Sequence, residues 1–459
     1  MFYLCKDIRK IATIQMLSKK TWDVLMKKFF QKTIGPLFLM ITCPPAVILA
    51  WYINTNMQGS LLNFAHIALQ NGIMNTIWQI WQPVFFGTHI AWKIILIFMA
   101  IQLLLMRIVP GKTVTGPETA NGNIPVYKDN GFLCFIITLA LFYLGTEIFH
   151  IFSATIVYDN FAGILGSLNI FSLIFCLILY YKGRFKPSTS DHSTTGNFIF
   201  DYYWGTELYP TILGWNVKQF TNCRFGMMSW AVIIISFAAK QAQLYGLQNS
   251  MIACVAIMLF YIAKFFWWES GYFRSMDIMH DRAGFYICWG CLVWVPGIYT
   301  LPAMYLVNHP ISFSPIIAAL IIILGVTCVI LNYFADAQRQ KVRATQGNCI
   351  VWGKAPQLIH AKYIDQHGDQ KQSLLLTSGW WGISRHFHYL LEIGLAFFWT
   401  LPVLFINFLP WFYVVFLTIL LVHRSYRDDQ RCAKKYGEYW KEYCMQVPNK
   451  IIPWRKLLS

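Results

Sequence analysis

The sequence predicts an all-α multi-span membrane protein of about ten transmembrane helices, its C-terminal region forming a polar pocket on the cytosolic side. Composition is the first ground. Of 459 residues, 57% are hydrophobic, 17% aromatic and only 12% charged, against roughly 25% charged in soluble domains. The second is where basic residues fall. The formal charge of +17 lies in patches between long apolar runs, which juxtamembrane placement explains better than nucleic-acid binding. The third is the C-terminal quarter, where two apolar runs separate two dense clusters of Arg, His, Asp, Lys and Tyr.

In chain order, residues 1–32 carry eight Lys or Arg against two Asp and no sustained apolar core. Residues 1–35 therefore read as a basic cytosolic tail rather than a signal peptide. Spans are predicted at about 36–53, 83–106, 131–151, 162–181, 227–245, 250–267, 285–305, 313–334, 390–408 and 410–423. The last is short against the usual requirement of about 20 residues. Pro44-Pro45 is expected to kink the first. The charge-free stretch 54–82, rich in Asn, Gln and Trp, reads as an interfacial or re-entrant helix. Loop 182–226 reads as a structured segment against the bundle, with Asp201 and Glu207 as acceptors. Residues 342–373 alternate mildly between turn signals and read as a hairpin cap. Three regions result: the tail 1–35, an eight-span bundle 36–334 forming the apolar side, and 335–459 carrying the cap, the last two spans and the polar C-terminal region. The 12 Cys lack paired spacing and read as buried free thiols rather than a disulfide or metal framework.

Charge sets the orientation. With the basic tail inside, the outer turns 54–82, 152–161, 246–249, 306–312 and 409 contain no Lys or Arg, and the inner turns 107–130, 182–226, 268–284 and 335–389 carry them. This positive-inside alternation makes both termini cytosolic. Eight or nine spans with a re-entrant segment would spoil it. If the last two spans form a hairpin, their polar flanks meet on one face.

Polar groups inside spans need partners. Lys93 and Lys240 read as snorkelling side chains, Lys240 with Glu147 as a possible partner. Glu269, Asp277, His280 and Asp281 read as an acid network at the mouth of an apolar cavity, Asp277 sharing a helical face with His280 or Asp281. They are too few for a metal site. The last two inner segments supply Arg339, Arg343, Arg385, His386, His388, Arg424, Arg427, Arg431, Lys434 and Lys435. Guanidinium groups match phosphate oxygens bidentately. Trp380, Trp381, Tyr389, Tyr436 and Tyr443 offer ring faces for a flat base. Asp428-Asp429 stands amid this charge, at the apolar boundary. An anionic cofactor meeting an apolar substrate suits such a place. No Gly-x-Gly-x-x-Gly fingerprint occurs, so a dinucleotide is held otherwise than on an α/β sheet.

The block Leu374-Leu-Leu-Thr-Ser-Gly-Trp-Trp-Gly-Ile-Ser-Arg-His-Phe-His-Tyr and the terminal His423-Arg-Ser-Tyr-Arg-Asp-Asp-Gln-Arg-Cys-Ala-Lys-Lys-Tyr-Gly carry a resemblance to a known family. So do Gly196-Asn-Phe, Asp277-Ile-Met-His-Asp-Arg-Ala-Gly and Cys349-Ile-Val-Trp-Gly-Lys-Ala-Pro. Together they are similar to the sterol reductases, over most of the chain. The resemblance implies a ten-span membrane enzyme that reduces a ring double bond of a sterol with NADPH; in the subgroup most resembled, the bond is C7–C8 of a 5,7-diene. By motif, the cofactor positions it implies are Arg339, Arg343, Leu376, Trp381, His388, Tyr389, Asp428, Cys432, Ala433, Lys434, Lys435, Tyr436 and Tyr443. His388 stands where relatives carry Asn, and Leu208-Tyr209-Pro210 where they tend to have Asn before the Pro.

The chemistry agrees. An alkene accepts hydride poorly unless an acid protonates the other carbon, and the arginines with Lys434 or Lys435 would clamp phosphates while Trp381 and Tyr389 restrain the cofactor. Candidate proton donors are Asp428 or Tyr389, with Glu269, Asp277 and His280 lining the sterol end; a carboxyl donor needs a raised pKa. The expected partners are a sterol from the bilayer, NADPH and membrane lipid, with no metal and no nucleic acid. The expected home is the endoplasmic reticulum membrane in a eukaryote, or the inner membrane in a bacterium. Alternatives are C14 sterol reduction, an isoprenylcysteine-type membrane methyltransferase and a non-catalytic sterol binder. The Gly-Trp-Trp-Gly block and the span number speak against the methyltransferase. The sequence leaves the physiological sterol and the oligomeric state open.

Overall fold

A backbone in hydrocarbon must satisfy its own hydrogen bonds, and helices do so within one segment. The computed structural model describes Met26 and residues 29–364 and 368–454; most of the basic tail lies outside the described residues. Nine helices among the described residues are long and apolar enough to cross a membrane. They are α1 (Phe30–Asn56), α2 (His89–Ile108), α3 (Gly131–Ile148), α4 (Phe161–Phe185), α5 (Gln219–Tyr245), α6 (Asn249–Trp267), α7 (Phe285–Asn308), α8 (Pro315–Ala344) and, after a shorter apolar α9 (Phe387–Val403), α10 (Leu409–Tyr436). Their outer faces expose large apolar side chains such as Phe38, Leu96, Leu104, Ile316 and Ile419. Water would penalise such a belt and lipid does not.

The short apolar segment is thus the ninth in order, not the tenth. α8 runs on past residue 334 to Ala344, so Arg339 and Arg343 lie on a helix and not in an inner turn, and α10 runs past residue 423 to Tyr436, extending the short tenth span through its charged motif. Ala, Gln, Arg and Lys are good helix formers, so nothing stops the helix where hydrophobicity ends. Gly437, at φ 55°, ends α10 and starts α11 (Glu438–Gln446).

The stretch after α1 folds as two short helices, Leu61–Asn71 and Ile73–Trp81, the first capped by the Ser60 side chain. α1 itself runs through Pro44 and Pro45. Strands β1 (Lys112–Thr115) and β2 (Val126–Asp129) form one small antiparallel pair, β3 (Thr211–Ile212) and β4 (Trp215–Asn216) a second. The loop after α4 is ordered as expected: Asp201 accepts from the Thr195 amide and hydroxyl, and Glu207 pairs with Lys182 at 2.7 Å. The hairpin cap is β5 (Leu358–Ile364) against β6 (Gln370–Leu376), registered from Leu358–Leu376 to Ile364–Gln370. Lys240 pairs with Asp159 at 2.8 Å, not Glu147. Asp159 ends the turn that packs beside α5, a proximity that chain spacing does not encode.

Candidate functional site

Three helix ends and the cap build the site. α8 carries Arg339 and Arg343 one turn apart. The guanidinium of Arg339 lies 3.9 Å from the Trp381 ring centre and donates to Asp336 at 3.1 Å. Such stacking fixes a cation and leaves its edges free for an anion. Trp381 is held by its indole N–H on the Ala335 carbonyl, 2.8 Å, and its own carbonyl accepts from Tyr443. Its ring lies 5.0 Å from that of His388. The Trp-Trp-Gly block is a single turn, Trp380–Ile383, after Gly379 at φ 63°, where a β-carbon would strike Gln338 and Val351.

At the start of α9, His386 stacks flat on Tyr389, centroids 4.9 Å apart and planes 7° apart. Its Nε2 sits 4.0 Å from Asp428 on α10, and Asp428 accepts from Arg431 at 2.6 Å. Asp429 is shared by Lys450 at 2.6 Å and Arg385 at 3.5 Å. Backbone bonds from Arg385 to Asn449 and from His386 to Lys450 stitch the chain end across the site. Asn332 on α8 donates to the His388 carbonyl and accepts from Lys264, tying α6, α8 and α9 together.

Asp277 accepts from Arg424 at 2.7 Å, which brings the loop after α6 onto α10. The helix here is only Met276–Met279, capped by Ser275, so the expected shared helical face does not extend to His280 and Asp281. His280 ends the turn, exposed, in the field of Arg431 and Lys435. Asp281 is buried beside Asp277, and its carbonyl and that of Ile278 each accept from the buried Lys218 at 2.6 Å. Glu269 joins a separate network: it is fully buried, pairs with Arg224 and accepts from the Gly131 amide, while Arg224 also reaches Asn130 at 2.7 Å.

Of the other predicted positions, Leu376 packs with Val342, Val351 and Trp381 beneath the cap. Cys432, Tyr436 and Tyr443 pack with Ile359, Ala361 and Leu375 on its other side, and Lys435 lies over the Tyr363 ring at 4.2 Å. Ala433 and Lys434 are exposed on the same helix, and Arg343 is exposed within reach of Tyr436, Cys432 and Tyr443. The fit to an anionic, ring-bearing group rests on this donor set. It rests also on buried His386 Nε2, His388 Nδ1 and Ser384 Oγ, which have no hydrogen-bond partner among the described residues; such atoms are costly to leave unmade. Sequence reasoning missed Lys218, Asn332 and Lys450 as members. The only signal was polarity within or beside an apolar run.

Two titrations oppose each other here. Burial pulls the His386 imidazole down to about 4, against the pull of Asp428 and Asp429. Burial, helped by Asp277, pushes the Asp281 carboxyl up to about 6. Between about pH 4 and 6.5 the unfolded chain therefore binds the His386 proton and the native state does not, so acidification through that window destabilises the fold. For Asp281 the native state holds the proton that the unfolded chain has lost, so raising the pH from about 4 to 6 costs stability. Thermal unfolding across this range is expected to show a flatter acid limb in His386→Gln and a steeper rise with pH in Asp281→Asn.

Fold and site together define a multi-span membrane protein whose helix ends bring basic and aromatic side chains together. The chain belongs to the ergosterol biosynthesis ERG4/ERG24 family, whose profile matches residues 26–455, and so to the sterol reductases, oxidoreductases of sterol biosynthesis. It is 52% identical over 419 residues to a 7-dehydrocholesterol reductase of Arabidopsis thaliana, covering 91% of this chain and 96% of that one. A 7-dehydrocholesterol reductase of Xenopus laevis is 38% identical, over 80% of this chain and 79% of its own. A Delta(14)-sterol reductase of Methylotuvimicrobium alcaliphilum is 36% identical over 91% and 93%.

Proposed function

We propose that this chain reduces the C7–C8 double bond of a 5,7-diene sterol with NADPH. The observation that carries the reading is the convergence of Arg339 on Trp381, stacked His386 and Tyr389, and Asp428 with its arginine, where α8, α9 and α10 end. Similarity favours C7 over C14, at 52% against 36% identity for the relatives so named.

A reduced nicotinamide supplies the hydride when bound. Arg339, Arg343, Lys434 and Lys435 hold the phosphates, and Trp381 and Tyr389 orient the ring. Leu376, Cys432, Tyr436 and Tyr443 hold the cap that excludes water from above. Asp428, His386 and Tyr389 form the relay that brings a proton to the alkene carbon opposite the incoming charge, which needs an acid as the cation develops. Asp277, paired with Arg424, lines the sterol side. The basic segments face the cytosol with both termini, and the membrane is that of the endoplasmic reticulum in a eukaryote or the cell membrane in a bacterium.

Purified protein with NADPH and a panel of 5,7-dienes and 14-enes, read by mass spectrometry of the products, tests the bond. Reduction of the 14-enes alone overturns it. Asp428→Ala is expected to lower turnover by about 10²–10⁴-fold, the usual contribution of a positioned acid or base, with cofactor affinity changed far less. Retained turnover removes the relay.

A further inference from the structure

Between α8 and β5 the chain alternates in burial. Val351 is buried, whereas Ile350 and Trp352 on either side of it are 71% and 57% exposed. Val351 packs with Val342, Leu376 and Trp381, so one face of this segment supports the candidate site. The other face is apolar and uncovered. Trp352 stands at φ 49° and Gly353 at φ 78°, in a tight turn closed by two backbone hydrogen bonds between Val351 and Lys354. Two successive positive φ angles suit Asn-Gly, and a bulky ring in the first place is strained. Such strain persists only where the surroundings hold it. In water, exposed Ile350 and Trp352 would add the cost of bare apolar surface to it.

Depth decides what lies outside this face. The Trp352 ring meets Trp380 edge-on at 5.0 Å, and Trp380 in turn stacks at 5.3 Å on Phe387, the first residue of apolar α9. The Trp380 amide donates to Gln338 on α8 at 2.9 Å. One turn earlier, α8 still presents an exposed Phe334. At a rise of about 1.5 Å per residue, Gln338 lies about 6 Å beyond it. The headgroup layer is about 5–7 Å deep on each side of the hydrocarbon, and indole rings are favoured in it. Lys341, three residues beyond Gln338, and Lys354 in the turn are both exposed. Cations at this level are drawn to acidic headgroups.

We infer that the turn 349–354 is a membrane-docking element: Ile350 and Trp352 enter the headgroup layer, and Lys341 and Lys354 meet acidic phospholipids there. Val351, on the opposite face of the same turn, carries this docking to Leu376 and Trp381, so lipid helps to seat the cap. The docking stands apart from the reaction proposed above; its effect on cofactor affinity rests on that reading. The test is trypsin cleavage after Lys354, read by fragment mass, of the full-length protein in nanodiscs of phosphatidylcholine with and without phosphatidylglycerol. Cleavage reports how often the turn leaves the bilayer. Wild type is expected to be cut about tenfold more slowly in acidic discs than in neutral ones, the scale of two cations at an anionic surface. Trp352→Asn, which suits the turn's backbone, combined with Ile350→Ser is expected to be cut at least about tenfold faster than wild type in acidic discs, with NADPH affinity lowered about threefold. Equal cleavage of wild type and variant overturns the docking, and equal protection in both lipids overturns the part given to acidic headgroups. Protection that grows with protein concentration assigns the face to a second copy and overturns the lipid. Unchanged NADPH affinity in the variant overturns the link to Trp381. If the wild type binds no NADPH, the proposed function falls while the cleavage rates still decide the docking.

Discussion

Glu269→Ala is expected to cost about 3–5 kcal/mol of stability, the scale for stranding one half of a buried ion pair. Arg224 and Glu269 are both inaccessible to solvent, and the second guanidinium nitrogen holds Glu269 at 3.0 Å and Asn130 at 2.7 Å. Without the carboxylate, a guanidinium remains inside α5 with one amide oxygen to answer it, and the Gly131 amide that starts α3 loses its acceptor. The double variant Arg224→Met with Glu269→Ala is expected to recover much of the loss, because an apolar pair of similar volume carries no stranded charge. Thermal unfolding of the detergent-purified protein measures both. If the single and double variants unfold at the same temperature, the pair is not what joins α3, α5 and α6. If Glu269→Ala is fully stable yet inactive, Glu269 acts in the reaction after all.

The second large effect is on the cofactor. Arg339→Ala and Arg343→Ala are each expected to weaken NADPH binding by about ten- to a hundredfold, since hydrogen bonds to charged groups contribute about 1.5–3 kcal/mol. Arg339→Lys should fall between wild type and alanine: it keeps the charge but loses the flat face that lies on Trp381 at 3.9 Å. Titration of the cofactor against intrinsic fluorescence gives the affinities, and turnover at saturating cofactor separates binding from chemistry. Unchanged affinity in the double alanine variant would remove the clamp. The two side chains stand one turn apart on α8, so their effects are not expected to add.

The limits of the sequence show in particular residues. Hydrophobic runs set the order of the long helices, because a bilayer reads apolar length directly, and nine of the ten expected spans are long enough to cross. They misplaced the ends of α8 and α10, because a helix does not stop where its greasy face does. That displacement carries Arg339, Arg343 and Asp428 onto helices, where they are held more rigidly than loops would hold them. The cap was legible from alternation and turn signals between Leu358 and Leu376. The partner of Lys240 was not, since Asp159 reaches it only through packing.

By itself, then, the chain determined that it is a multi-span membrane protein and which family it resembles. Those are properties of composition, period and local motif, and each is written within a few tens of residues. Only the tertiary structure decided that Lys450 and Asn449 close over His386, that Lys218 fastens the Asp277 turn, and that Glu269 belongs to Arg224. Each of these depends on where distant helices cross, and a contact between residues far apart in sequence is fixed by packing, which no local pattern encodes.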